Sequence, residues 1–197
     1  TFPWILEQDR QVKKAEPIYF VKRTRGRGYD YPQYCLHGRD WRRLKHMLRH
    51  NNVYLGVHGS YYGSIPAIEY GKMYRAHYLR CSIEQLQRLA DAGYTDDFTM
   101  GFADQAGFRL QTCRAVRWIN PKTMQLTNLT LHPLIVMDTT LSKYMHLTED
   151  EAYFLCERLI AKVKLHHGDL CLLWHNNNFA SESYHRALYP KILALIK

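Results

Sequence analysis

The 197-residue chain has no apolar run near the roughly 18 residues that a membrane-spanning helix needs, so no such helix is expected. No basic-then-apolar leader opens it, and no secretion signal is expected. Its five cysteines (35, 81, 113, 156 and 171) are odd in number, and no two are spaced C-x-x-C. That usage fits reduced, packed thiols of a cytosolic protein rather than a disulfide framework. A Walker loop, a Rossmann glycine triplet, H-E-x-x-H and G-x-S-x-G are all missing, which removes the commonest nucleotide, zinc-protease and serine-hydrolase signatures. There is no internal repeat, low-complexity tract or Pro/Gly/Ser linker either, so residues 1–197 are expected to form a single domain.

What is present is enough hydrophobic sequence, 46%, to bury a core without staples, alongside 23% charged residues. Aromatics are plentiful, with Tyr 15, Phe 7 and Trp 4, a supply that lines sugar or base pockets and equally fills cores. The net charge is +9, and residues 1–50 hold 12 basic and 5 acidic side chains, so most of the basicity is amino-terminal. It concentrates in Lys13-Lys14, in Lys22-Arg23-Thr24-Arg25-Gly26-Arg27 and in Asp40-Trp41-Arg42-Arg43. Such clusters either form a solvated face or hold an anion.

Short apolar runs alternate with amphipathic stretches, the pattern of an α/β protein. The periodicity predicts a helix from Trp4 to Lys14 and a buried strand at Pro17-Ile-Tyr-Phe-Val21. Asp40 is expected to cap a helix whose apolar face is Trp41, Leu44 and Leu48, ended by Asn51-Asn52. Val53-Tyr-Leu-Gly-Val57 reads as a strand with His58 at its carboxyl end. Ser82 with Gln85, and Thr148 with Glu151, read as capping boxes, the first opening a helix that stops at Gly93. The second opens a long helix closed by Gly168. Leu170-Cys-Leu-Leu-Trp174 reads as a strand buried on both faces and ending in His175. Two histidines at the carboxyl ends of strands matter, because α/β sheets and barrels place their sites there.

Five segments carry the residues able to do chemistry: His58-Gly-Ser-Tyr-Tyr62, Tyr74-Arg-Ala-His-Tyr-Leu-Arg80, Tyr94-Thr-Asp-Asp-Phe-Thr-Met-Gly-Phe102, Gly107-Phe-Arg109 and Trp174-His-Asn176. Their ordered occurrence, from about residue 53 to 178, resembles the polysaccharide deacetylase (NodB-homology) superfamily, in particular a bacterial polysaccharide-deacetylase-like branch. The resemblance implies a distorted (β/α) barrel and metal-dependent hydrolysis of N- or O-acetyl groups on a carbohydrate. A Lewis-acid metal polarises the acetyl carbonyl and activates water, while an acid protonates the leaving amine or alcohol.

Carried over position by position, the resemblance makes His58 the metal ligand, with Ser60 two places on. The second loop histidine would fall at 62, where Tyr62 is a poor zinc ligand. Arg75 suits the arginine that orients the base, Asp97 the supporting aspartate, with Asp96 its neighbour, and His175 the late general acid. Tyr61, His77, Trp174 and Asn176 are the candidates for substrate contact. The expected cofactor is a divalent metal, zinc, held weakly or not at all by this ligand set. The acid pair that the superfamily places on its first strand is not found, and that strand is expected to lie upstream of Trp4. Gly107-Phe-Arg109 reads as a turn, and His132-Pro133, after an apolar strand, as a cleft lining. Two other functions compete with a deacetylase: a sugar-binding or structural relative that lost the metal, favoured by Tyr62, and an anion or nucleic-acid binder, resting only on the basic amino-terminal segment.

Overall fold

Apolar runs and amphipathic stretches alternate along the chain to give, in order, helix α1 (Phe2–Asp9), strand β1 (Ile18–Lys22), helix α2 (Arg39–Arg49), strands β2 (Tyr54–His58) and β3 (Met73–Arg75), helix α3 (Ile83–Asp91) and strand β4 (Asp96–Asp97). Strands β5 (Val116–Ile119), β6 (Leu126–Leu131) and β7 (Leu134–Met137), helix α4 (Glu149–Leu165), strand β8 (Cys171–Leu173) and helix α5 (Tyr184–Ile196) follow. The structure is a computed structural model and describes residues 2–13, 15–22, 28–30, 37–68, 71–179 and 184–196. The fold class is α/β, and the contacts divide into two compact units. One comprises Glu16–Met100 and Ala115–His132; the other comprises Thr1–Ala15, Gly101–Arg114 and Pro133–Lys197. Among the described residues, no helix is long and apolar enough to cross a membrane.

The first of these, the sheet unit, holds six strands in the order β1-β2-β3-β4-β6-β5. Every neighbouring pair from β1 to β6 is parallel, and β5 returns antiparallel to β6 with a shift of register between Arg117 and Ile119. Parallel strands need crossovers. Helix α2 supplies one between β1 and β2, burying Trp41 and Leu48 while Arg42 and Arg43 face solvent. The basic residues of this helix are therefore a solvated face; Lys14 and the run 23–27 lie outside the described residues. The cap of α2 is Gly38 with no side-chain bond, so Asp40 does not cap it. One residue inside the helix, Asp40 acts only through its charge on the helix dipole. Helix α3 begins at Ser82, whose side chain accepts from the Gln85 backbone N–H, and gives way at Gly93, where φ is +85°. Only half of the expected box forms there, because the Gln85 amide is turned to the Tyr74 hydroxyl at 3.2 Å.

The second, helical unit pairs β7 with β8 in parallel and packs α4 and α5 beside them. All four residues of β7 are buried, as expected of a strand covered on both faces. In β8 only Leu173 is fully buried. Leu141, Ala152, Cys156, Ile160, Leu188 and Ile192 form the centre of the core. Cys113 and Cys156 are buried thiols, as expected; Cys81 and Cys171 are half-buried, and Cys35 lies outside the described residues. Helix α1 is shorter than its hydrophobic pattern, because the backbone after Asp9 tightens to three-residue turns. Asp9 is buried there and donated to by the Tyr189 hydroxyl at 2.5 Å.

The capping box of α4 is complete. The Thr148 hydroxyl accepts from the Glu151 N–H, and the Glu151 carboxylate accepts from the Thr148 N–H at 2.8 Å. Thr148→Ala removes this arrangement from the 17-residue helix that anchors the core. It is expected to lower stability by about 1 kcal/mol in urea unfolding, with the native circular dichroism unchanged.

Candidate functional site

The parallel register aligns chemistry at the carboxyl edge of the sheet unit. Lys22 pairs with His58, and His58 with Arg75, so three polar residues end three adjacent strands in one row. Tyr74 pairs with Asp97, and Asp97 with Leu131, which carries the row on to His132. The carboxyl edge of parallel strands is where open α/β sheets place their ligands.

The centre of this row is a residue that sequence reasoning missed. Asp30, in a 3-10 turn at Gly28–Asp30, is 2% exposed. Its Oδ2 accepts from the Ser60 hydroxyl at 2.5 Å. Its Oδ1 accepts from the Tyr61 N–H at 2.9 Å, from His77 Nδ1 at 3.0 Å and from Lys22 Nζ at 3.2 Å. Burial alone would raise the Asp30 pKa, but these four donors outweigh it and hold the carboxyl well below its ordinary value. An ionised Asp30 fixes the His77 proton on Nδ1. The only sequence cue to Asp30 is an acid following a strand and a glycine-punctuated basic loop.

His58 stands beside this group, its ring 5.0 Å from that of His77 and its Nδ1 3.0 Å from the Gly59 carbonyl. Burial pushes its pKa down to about 3, and His77, Arg75 and Lys22 add to that, so the ring is neutral at physiological pH. Arg75 is buried, donates Nε to the Phe98 carbonyl at 3.2 Å and lies 4.2 Å over the Phe20 ring. Asp97 is fully buried and accepts from the Thr99 hydroxyl at 2.6 Å and the Thr99 N–H at 3.0 Å. Burial, opposed by Thr99, Arg75 and His132, raises its pKa to about 6. His132 stacks on Phe98 at 4.3 Å and meets Asp96 at 2.8 Å.

The resemblance implies a metal here, and the donors around His58 do not fit one. Among the described residues no group of three or more His, Cys, Asp or Glu side chains is arranged to hold a metal ion. Asp30, the carboxylate that would balance a metal's charge, is already balanced by the buried ammonium of Lys22. That ammonium also lies 3.4 Å from His77 Nδ1. Tyr62, at the second ligand position, is 65% exposed and uses its N–H on Ser60.

The helical unit carries His175, Trp174 and Asn176. His175 follows β8 and faces Asp138, which follows β7, another residue that sequence reasoning missed. His175 Nδ1 lies 2.6 Å from Asp138 Oδ1, and the His175 N–H donates to Oδ2 at 2.7 Å. The Asn178 amide donates to the same Oδ2 at 2.7 Å, and the Thr139 N–H to Oδ1 at 2.7 Å. Burial opposes ionisation of Asp138, but the His175, Asn178 and backbone donors prevail and lower its pKa. Immediately beyond it the chain makes a π-helical turn at Thr140–Tyr144, a local irregularity frequent at functional sites. Asp138 ends a wholly buried apolar strand, the same cue that singled out His58 and His175.

Asn178, not Asn176, binds the carboxylate; Asn176 is exposed. The Trp174 ring packs into the core beside Tyr189, at 5.2 Å. Arg109 donates to the Gly101 carbonyl at 3.0 Å and is part of a turn, as expected. Of the candidate residues, His58, Arg75, His77, Asp97 and Tyr61 therefore belong to the sheet unit, and His175, Trp174 and Asn176 to the helical unit.

No protein-family model and no curated protein matches the chain. Among solved structures, the chain is similar to a crystal structure of a candidate polysaccharide deacetylase involved in O-antigen biosynthesis from Bordetella bronchiseptica. Identity is 12% and the TM-score 0.48, over 99% of this chain and 76% of that one.

Asp30→Asn leaves the buried Lys22 ammonium without its counter-charge and is expected to cost about 3–5 kcal/mol at pH 7. Because the folded pKa of Asp30 lies below the ordinary 3.8, its contribution is present above that value and lost as pH falls through it. The gap between wild type and Asp30→Asn in urea unfolding should accordingly narrow below pH 4. Asp97 acts in the opposite sense. With its folded pKa raised to about 6, its contribution is full below 3.8 and is lost as pH rises to about 6.

Proposed function

We propose that this protein is a hydrolase that removes acetyl groups from a carbohydrate, with His175 as its acid–base residue. The proposal carries with it the distorted barrel of the superfamily that the ordered motifs resemble. The observation that supports it is the Asp138–His175 pair. An ionised, fully buried carboxylate holds the imidazole through Nδ1, which in the neutral ring places the proton on that nitrogen and the lone pair on Nε2. The side chain of His175 is 42% exposed, so Nε2 is within reach of water and ligand. A third group orienting a base in this way is the recurring arrangement of acyl-transfer sites.

The chemistry balances on this residue. Nε2 takes a proton from water as the water oxygen bonds to the acetyl carbon. The resulting imidazolium, stabilised by Asp138, gives that proton to the sugar nitrogen or oxygen as the acyl bond breaks and acetate departs. Arg75 and Asp97 serve in this scheme as positioning residues. The Arg75 Nε is bonded to the Phe98 carbonyl and the Asp97 carboxylate to Thr99, contacts that fix the strand ends. Beside His58 the Asp30 carboxylate is engaged by the Lys22 ammonium, and the proton transfers rest on the Asp138–His175 pair.

A second function is favoured by one specific contact. Lys22 on Asp30 fills the centre of the sheet unit's polar row with an internal ion pair, as expected of a relative that binds sugar without hydrolysing it.

Acetate release from acetylated oligosaccharides by the purified protein separates the two. His175→Ala should lower kcat by about 10²–10⁴-fold with the fold intact. Asp138→Asn should lower kcat too, because the imidazole loses its tautomer and orientation, while KM changes little. Wild-type turnover in His175→Ala would refute the assignment, and binding of sugar without any acetate release would establish the second function.

A further inference from the structure

The sheet unit exposes a group of tyrosines that no core requires. Tyr29, Tyr62 and Tyr78 are 56%, 65% and 52% exposed, and half-buried Tyr61 sits among them. The Tyr61 ring lies 4.5 Å from Tyr29, 5.5 Å from Tyr78 and 5.3 Å from Tyr62. Arg80 covers Tyr61 at 4.3 Å. Soluble proteins seldom leave such aromatic area open unless it binds something.

The backbone points to the same surface independently. Tyr78 and Leu79 are consecutive non-glycine residues in the left-handed region, with φ of 57° and 52°. That conformation is uncommon for one residue and costly for two, and it concentrates where a side chain must be presented. Leu79 is buried and anchors the turn, while Tyr78 is thrust outward. Packing alone would have buried both.

The chemistry of the ligand follows from the geometry. Tyr61 meets Tyr62 and Tyr78 at 81° and 84°, and Tyr29 meets Tyr78 at 81°, so these rings form corners. Tyr29 and Tyr61 are tilted by 32° with centroids 4.5 Å apart, too close to admit a nucleobase between them. A corner of phenol faces suits the C–H face of a pyranose. Beside it runs an open groove of about 370 Å³ lined by Tyr61, Tyr62, Arg80, Ser82 and Gln85 among others, whose polar groups suit sugar hydroxyls. Arg80 makes no ion pair among the described residues. Its exposed guanidinium is therefore available for a bidentate bond to a carboxylate. We infer that Tyr29, Tyr61, Tyr78 and Arg80 form a subsite for an acidic pyranose, a uronate ring, of the carbohydrate on which the protein acts. The inference rests on the carbohydrate function proposed above and adds the class of sugar.

Isothermal titration of the full protein with trigalacturonate and with neutral chitotriose tests it. Wild type should bind trigalacturonate at least tenfold more tightly than chitotriose, with an affinity that falls as salt rises. Arg80→Gln should erase that preference. Tyr78→Ala should weaken trigalacturonate binding at least tenfold, and Tyr78→Phe, which keeps the ring, should restore most of it. Thermal unfolding of each variant shows that the fold survives. Equal affinity for the two trisaccharides, no binding of either by wild type, or an unchanged preference in Arg80→Gln overturns the subsite. Acetate release, measured separately, keeps the two proposals apart. Trigalacturonate binding without acetate release from any acetylated sugar defeats the hydrolase alone, and acetate release without trigalacturonate binding defeats the subsite alone.

Discussion

A carboxylate taken out of water has to recover from the protein the donors that water supplied, and three buried aspartates show how closely this governs both units. Asp30 draws donors from the end of β1, from the segment after β2 and from the turn after β3. One anion thereby ties three separate stretches of chain to the carboxyl edge of the sheet. Asp138 does the same on a smaller scale, gathering the backbone and ring of His175 with the Asn178 amide. Remove either carboxylate and the loops that carry the chemistry lose their common partner.

The number of donors then sets the charge state. Asp30 has four and Asp138 at least as many, and both are held ionised. Among the described residues Asp97 has two donors, both on Thr99, and burial prevails, so its proton is retained to about pH 6. One residue type thus serves as a firmly held anion in two places and, in a third, as a loop anchor that takes up its proton at a pH well above the ordinary carboxylate range. The difference lies in which segments reach it, not in the residue itself.

Local patterns made part of this legible from sequence. Strands β1, β2 and β8 announce themselves as apolar runs, and their ends gave His58 and His175. The box of Thr148 and Glu151 is visible because both halves lie three residues apart. Strands β3 and β4, at three and two residues, are too short to show a period. Asp30 meets partners 30 and 47 residues away, and Asp138 meets His175 across 37, separations at which no spacing rule operates. Asp40 looked like a cap by type and place, yet the chain turned two residues earlier at Gly38. Lys22 was legible only as one more positive charge in a basic run; its burial against Asp30 is a property of the fold.

The antiparallel strand β5 closes one side of the sheet, and it does so unevenly. Its register against β6 shifts between Arg117 and Ile119, and the Arg117 guanidinium bends back onto the Thr127 carbonyl. An extended peptide approaching that side would meet a strand made irregular by the shift and carrying a cation. Open strand edges invite the growth of sheets from one molecule to the next, and irregularity and charge are the ordinary defences. The kink in β5 therefore shields the side of an otherwise regular parallel sheet from intermolecular strand addition.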